Sequence, residues 1–173
     1  EFLRSLDAHK FLSGYAEMLK HGLISTPEHL AELLAFDTDK IDYVALKSMV
    51  GRSVQVKEDI VEQDPLEHGI RKALNLGHTV GHAFESLALA EGRPVLHGYA
   101  VAWGIVCELY LSYIKVGFPK EKMRQTIQFI KENYGGFAFN CKQYDQLYEL
   151  MKHDKKNTAG AINFTLLKEV GDI

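Results

Sequence analysis

Three of the eight histidines lie close together in the sequence, at His78, His82 and His97. His78 and His82 are four residues apart, so a helix would place both imidazoles on one face. The zinc-protease form of this spacing has a glutamate directly after the first histidine, but Thr79 stands there, which disfavours a peptidase. The pair alone fits a metal site and two hydrogen-bonded structural histidines about equally well.

Glu17 and His97 strengthen the metal interpretation. Glu17 lies at the edge of the apolar face of the first predicted helix, where a carboxylate needs a partner because burying it unpaired is costly. His97 precedes Gly98 at the start of a long apolar stretch. One glutamate with two histidines is a common catalytic zinc set that leaves coordination open for a substrate. Spacing alone would make His82 the second histidine.

Basic and amide side chains surround these positions in the sequence. Lys20 follows Glu17 by three residues, and Lys57 stands on a long predicted helix. Arg71 and Asn75 precede His78 and, on one helix predicted over 71–90, would share a stripe with it. Such a set suits a polyhydroxylated anionic substrate, although any single lysine is more simply interpreted as solvated surface charge.

Helical periodicity dominates the elements that must position these residues. The pattern predicts a single all-α domain of about seven helices over 1–173, with at most a short strand pair near the C-terminus. Thr26 and Pro27 give a cap followed by a first-turn proline. The stretch 100–116 predicts a buried central helix, and its apolar part is expected to be too short for a bilayer. Only 161–167 alternates like a strand.

Composition narrows the function classes. The formal net charge is −3, so no strongly basic field is available for nucleic acid, and no membrane segment is expected. Two cysteines at no metal-like spacing favour a reduced, cytoplasmic setting. The chain opens at Glu1 without a methionine and is expected to be a piece of a longer protein.

Four blocks of sequence, in order and nearly throughout the chain, resemble the 3-dehydroquinate synthases. They are 11–24 (FLSGYAEMLKHGLI), 71–85 (RKALNLGHTVGHAFE), 96–104 (LHGYAVAWG) and 154–157 (DKKN). The resemblance implies the helical C-terminal domain of the architecture shared with iron-dependent alcohol dehydrogenases. Tyr99 departs from the glutamate that many members have after the His-Gly pair.

The activity implied by the resemblance is the conversion of 3-deoxy-arabino-heptulosonate 7-phosphate to 3-dehydroquinate and phosphate. This NAD- and metal-dependent carbon–oxygen lyase belongs to the shikimate pathway, which leads to chorismate and the aromatic amino acids. Zinc or cobalt is the implied metal. An N-terminal NAD-binding domain is the implied partner, because no glycine-rich strand–turn–helix fingerprint occurs in these residues. The full-length enzyme is expected to be a homodimer.

The resemblance also implies roles for individual residues. Glu17, His78 and His97 are the expected metal ligands, and His82 is expected on the substrate side near the leaving phosphate, against the inference from spacing. The other expected roles are carboxylate binding by Lys57 and Arg71, catalysis and binding of the hydroxyls by Lys20 and Asn75, and phosphate binding by Lys155 or Lys156.

Two other functions remain open from the sequence. Related sugar-phosphate cyclases such as 2-deoxy-scyllo-inosose synthase share the metal set, but their substrates lack the carboxylate that Arg71 and Lys57 would bind. A non-catalytic helical module that packs against a partner is the alternative from a different class, and tight metal binding would count against it.

Overall fold

The computed structural model describes residues 2–153 and 161–173. The described residues form seven α-helices and no β-strand, which confirms the all-α prediction. The helices are α1 (Ala8–Leu23), α2 (Pro27–Ala35), α3 (Tyr43–Gln63), α4 (His78–Ala90), α5 (His97–Val116), α6 (Lys120–Tyr134) and α7 (Tyr144–Lys152). Short 3-10 helices span Phe2–Ser5, Ile70–Asn75 and Cys141–Gln143.

The first two helices begin at side-chain caps. The Asp7 carboxylate accepts the His9 backbone N–H at 2.8 Å, and the Thr26 hydroxyl accepts the His29 N–H at 3.1 Å. Each cap satisfies a backbone donor that has no partner within its helix. Pro27 follows Thr26 in the first turn of α2, so the predicted cap and proline start are confirmed.

Helix α5 is the centre of the core. It packs against α1, α4 and α6, and Ile105 and Leu109 on it are fully buried. From α1, Tyr15 and Leu19 enter the same cluster. A second cluster between α4 and α7 contains Phe84, Leu87 and Leu147.

Helix α5 has 20 residues and, among the described helices, is the one long and apolar enough to cross a membrane by length and composition. The expectation that its apolar stretch would be too short is therefore wrong on length. The same helix carries Glu108, whose side chain is fully buried and hydrogen-bonded to α4, and it packs on three other helices. Length and composition do not by themselves distinguish such a core helix from a membrane span.

The predicted single helix over 71–90 is wrong. Ile70–Asn75 is a 3-10 helix, and α4 starts only at His78, after Gly77 with φ +79°. Glycine adopts this left-handed conformation without the steric cost that other residues meet. The Gly77 N–H turns to the Glu108 carboxylate at 2.7 Å, so a contact with α5 outweighs the local helical pattern.

Helices α4 and α5 cross at backbone contact, and Gly104 permits it. A Cβ atom on Gly104 would lie 1.9 Å from the Gly77 carbonyl oxygen and 2.8 Å from the Gly81 nitrogen. Both obstacles are backbone atoms, which cannot swing aside as a flexible side chain could. Any larger residue at position 104 must therefore push α4 away from α5.

Gly104→Ala is expected to lower the free energy of unfolding by about 2 kcal/mol through overpacking. Gly51→Ala is the matched control, because Gly51 is an exposed residue of α3 and a Cβ there would meet nothing within 4 Å. That control should raise stability by about 0.5–1 kcal/mol, the helix-propensity gain. Urea denaturation measures both, and equal effects at the two positions would contradict the tight crossing.

The predicted strand over 161–167 is also wrong. Residues 162–167 have no regular secondary structure and contact helical segments: the Leu167 N–H donates to the Ser112 hydroxyl at 3.0 Å, and the Thr165 hydroxyl donates to the Lys72 carbonyl at 3.0 Å. Its alternating pattern reflects a half-buried segment that has no partner strand among the described residues. An isolated antiparallel bridge joins Glu169 and Asp172.

Candidate metal centre

Three helices bring the predicted ligands together. Glu17 lies on α1, His78 is the first residue of α4, and His97 is the first residue of α5. The start of α5 is fixed against α1 because the Gly98 N–H donates to the Ser13 hydroxyl at 3.0 Å. The two histidines thus meet a glutamate that is at least 61 residues away in the sequence.

The two oxygens of the Glu17 carboxylate have different neighbours. Oε2 accepts a hydrogen bond from the Lys20 ammonium at 2.6 Å, and that lysine is 4% exposed. Oε1 is buried and has no hydrogen-bond partner among the described residues, while it lies 3.5 Å from His78 Nε2 and 3.8 Å from His97 Nε2. A buried oxygen without a partner is costly, and a cation between it and the two nitrogens would remove that cost.

The second nitrogen of each ring is held by an acceptor. His78 Nδ1 lies 3.1 Å from the Leu76 carbonyl oxygen, and His97 Nδ1 lies 3.1 Å from Glu85 Oε2. Both acceptors lack a proton of their own, so we assign the ring proton to Nδ1 in each case. The Nε2 lone pairs then face Glu17 Oε1, as metal ligation requires. The donor set therefore fits a divalent metal of the zinc type.

His82 lies beside the same point. Its ring centroid is 5.3 Å from that of His78 and 5.8 Å from that of His97, and ligand atoms of the three histidines all lie within 4.8 Å of one another. Two sets of three metal ligands are therefore possible. Both contain His78 and His97, and the third ligand is either Glu17 or His82. The assignment of Glu17 as ligand and His82 as a substrate-side group stays a prediction.

Electrostatics favour the charged form of Glu17. Burial alone would raise its pKa, yet the Lys20 ammonium, through charge and hydrogen bond, holds that pKa below the usual range of a glutamate. Next to it, burial together with the Lys20 charge lowers the pKa of His21 to about 4. His21 is thus neutral at pH 7, and its Nδ1 contacts the Ser53 hydroxyl at 2.5 Å.

Asn75 and Arg71 are hydrogen-bonded within the segment that precedes α4. Asn75 donates to Glu67 Oε1 at 3.0 Å, and Arg71 Nη1 donates to the Pro65 carbonyl at 2.7 Å. Because α4 begins only at His78, the predicted helical stripe of Arg71, Asn75, His78 and His82 does not exist.

Lys57 is exposed on α3 and lines a cavity of about 790 Å³ between α1 and α3, together with His21 and Met18. Lys57 lies in the wall of this cavity, whereas Glu17 and the three clustered histidines do not line it. Lys155 and Lys156 lie outside the described residues.

Sequence reasoning missed two glutamates that contact this region. Glu85 touches His97, and Glu108 binds the backbone at the start of α4. A signal for Glu85 existed, since it lies seven residues after His78 and so on the same face of α4. Glu108 gave a different signal, an acidic residue within an otherwise apolar stretch.

Comparison with solved structures shows the fold. The chain superposes with a TM-score of 0.82 on 2-epi-5-epi-valiolone synthase from Streptomyces hygroscopicus subsp. jinggangensis, solved with NAD+ and Zn2+ bound, at 20% identity over 99% of this chain and 48% of that one. A 2-deoxy-scyllo-inosose synthase complexed with carbaglucose-6-phosphate, NAD+ and Co2+ gives a TM-score of 0.76 at 19% identity, over 97% of this chain and 47% of that one.

Sequence comparison shows the family. The chain is 62% identical over its whole length to a 3-dehydroquinate synthase of Parabacteroides distasonis, and 41% identical over 99% of its length to one of Oceanobacillus iheyensis. It spans about half of each relative, 49% and 47% respectively. The family model for the 3-dehydroquinate synthase C-terminal region matches residues 14–157. This chain therefore belongs to the 3-dehydroquinate synthase C-terminal family.

Proposed function

We propose that the chain is the helical, metal- and substrate-binding half of a 3-dehydroquinate synthase. The full-length protein would convert 3-deoxy-arabino-heptulosonate 7-phosphate to 3-dehydroquinate and phosphate, as a carbon–oxygen lyase. The observation that carries this proposal is the buried Glu17 oxygen, which faces His78 and His97 Nε2 and has no hydrogen-bond partner in the part of the chain that the structure describes. Two relatives named 3-dehydroquinate synthase, at 62% and 41% identity, support this over a related cyclase.

Glu17, His78 and His97 would hold the divalent metal, zinc or cobalt. The metal would supply Lewis acidity toward substrate hydroxyls, and NAD, held by the N-terminal domain, would accept and return hydride. The chain's own contribution is a Glu17 carboxylate whose charged form Lys20 stabilises, together with acceptors at Nδ1 that direct both Nε2 atoms inward.

Other side chains would bind and orient the substrate. His82, half-buried beside the two ligand imidazoles, would exchange a proton with the leaving phosphate. Lys20 and Asn75 would bind substrate hydroxyls. Arg71 keeps donors beyond the one given to Pro65, because a guanidinium has five, and with Lys57 it would bind the carboxylate.

We further propose that the full-length protein is a cytoplasmic homodimer with its own N-terminal NAD domain. Lys155 or Lys156 would contact the substrate phosphate. Cys107 and Cys141 are both free thiols, as a reducing compartment would allow.

Complementation tests the proposed function. The chain alone is expected to release no phosphate from the heptulosonate 7-phosphate with NAD and Zn2+, because the cofactor must be positioned against the substrate to within about 1 Å. Adding the N-terminal half of the Parabacteroides distasonis relative should restore phosphate release. The same mixture with the chain's Glu17→Gln variant is the control and should stay inactive.

Three results would contradict the proposal. Steady turnover by the chain alone would show that the cofactor platform is not required. A restored mixture that acts on glucose 6-phosphate but not on the carboxylated heptulosonate would favour a 2-deoxy-scyllo-inosose synthase. A mixture that neither binds Zn2+ nor turns over would favour the non-catalytic helical module.

A further inference from the structure

Glu85 contacts His97 from the side away from Glu17. Its Oε2 lies 3.1 Å from His97 Nδ1, while His97 Nε2 lies 3.8 Å from Glu17 Oε1. The two nitrogens of an imidazole point in different directions, so Glu85 lies next to Nδ1 and Glu17 lies on the side of Nε2. Glu85 is therefore placed to hold the ring, whereas Glu17 is placed to share a metal with it.

His97 needs such support more than His78 does. Its side chain is 46% exposed, against 11% for His78, so packing restricts its ring far less. It is the first residue of α5, and the preceding Leu96 provides no side-chain cap. His78 is enclosed and bound through Nδ1 to the Leu76 carbonyl, so its orientation is secured by its own helix start.

We propose that Glu85 is a positioning residue of the metal centre, which accepts the Nδ1 proton of His97 and directs Nε2 toward Glu17. The proposal rests on the proposed metal site. A carboxylate behind a ligand histidine fixes the tautomer and ring orientation and raises the basicity of the ligating nitrogen. Because α4 carries both His78 and Glu85, one helix would supply a ligand and the support of a second ligand on α5.

An exposed ion pair without consequence is the competing interpretation. The Glu85 side chain is 38% exposed, and pairs at such sites contribute little to protein stability. The two interpretations differ in what changes on mutation. A positioning residue alters metal affinity and the His97 tautomer, whereas a surface pair alters neither.

Zinc titration of the chain against a chromophoric chelator tests the proposal. Glu85→Ala is expected to weaken Zn2+ binding about 10- to 100-fold, as loss of a carboxylate behind a ligand histidine does. Glu85→Gln keeps a carbonyl acceptor for Nδ1–H and should lie between Glu85→Ala and the unmodified chain. Glu91→Gln is the matched control: Glu91 is the exposed C-cap of the same helix, contacts Arg93, and should leave zinc affinity unchanged.

A second readout does not depend on metal. In metal-free chain in alkaline buffer, where imidazoles are neutral, ring-nitrogen NMR should show His97 protonated at Nδ1. In Glu85→Ala the proton should shift toward Nε2, while the metal-free melting temperature stays close to that of the unmodified chain.

The outcomes separate this inference from the metal site itself. His97→Ala should abolish tight zinc binding, and if it does not, the proposed metal site is wrong. If His97→Ala loses zinc but Glu85→Ala binds it within about threefold of the unmodified chain, Glu85 is not a positioning residue. Equal losses in Glu85→Ala and Glu91→Gln would indicate a general charge effect and would also overturn the inference.

Discussion

Replacing Glu17 with glutamine is expected to weaken Zn2+ binding by the chain more than about a hundredfold, because loss of a direct ligand should exceed the 10- to 100-fold cost of losing a residue behind one. Glutamine keeps a carbonyl oxygen that can accept the Lys20 hydrogen bond, so the buried ammonium retains a partner. It removes the negative charge that attracts a divalent cation. Competition titration with a chelator of known affinity measures the change.

His82→Gln is the matched control for this prediction. His82 is as close to His78 as His97 is, with ring centroids 5.3 Å and 5.4 Å away. If His82 is a substrate-side group, its replacement should change zinc affinity by less than about threefold, well below the cost of losing a residue behind a ligand. The opposite pattern, with zinc lost in His82→Gln and kept in Glu17→Gln, would assign the metal to the three histidines.

Glu108→Ala is expected to lower the free energy of unfolding by on the order of 4 kcal/mol, because hydrogen bonds to a charged group contribute about 1.5–3 kcal/mol each. Glu108 is fully buried, and its oxygens accept the Gly77 N–H at 2.7 Å and the Val80 N–H at 3.3 Å. Its charge also lies at the N-terminal end of α4, where the helix dipole favours an anion. Alanine would leave backbone donors buried without these acceptors.

Urea denaturation measures this loss as a shift in midpoint at unchanged slope. Glu121→Ala is the control, because Glu121 is an exposed acidic residue in the first turn of α6 and should change stability by no more than about 0.5 kcal/mol. Glu108→Gln, which keeps one acceptor, should fall between the two. A Glu108→Ala chain as stable as the Glu121→Ala chain would contradict the capping role.

Local signals predicted most helices but not the start of α4. Thr26 and Pro27 act within one turn, so α2 could be read from the sequence. The break at Gly77 depends on Glu108, 31 residues further along the chain, and on a crossing with α5 that no local pattern encodes. The alternating segment 161–167 was misread for a similar reason, since its partners are helices.

The candidate site was predictable only in part. Helical spacing placed His78 and His82 on one face and favoured His82 as the second ligand, whereas the resemblance favours His97 with Glu17. The structure brings all four side chains close together, so both sets stay predictions. The meeting of Glu17 with the two histidines required the packing of α1 against the starts of α4 and α5. The Glu85 contact with His97 depends on that same packing, so it emerged only from the structure.

Anomalous X-ray diffraction at the zinc absorption edge, from crystals of the chain grown with Zn2+, tests the metal centre most directly. The predicted result is one strong peak about 2.0–2.2 Å from Glu17 Oε1, His78 Nε2 and His97 Nε2, with His82 outside the coordination shell. A peak coordinated by His78, His82 and His97 without Glu17, or zinc bound only elsewhere on the surface, would contradict it.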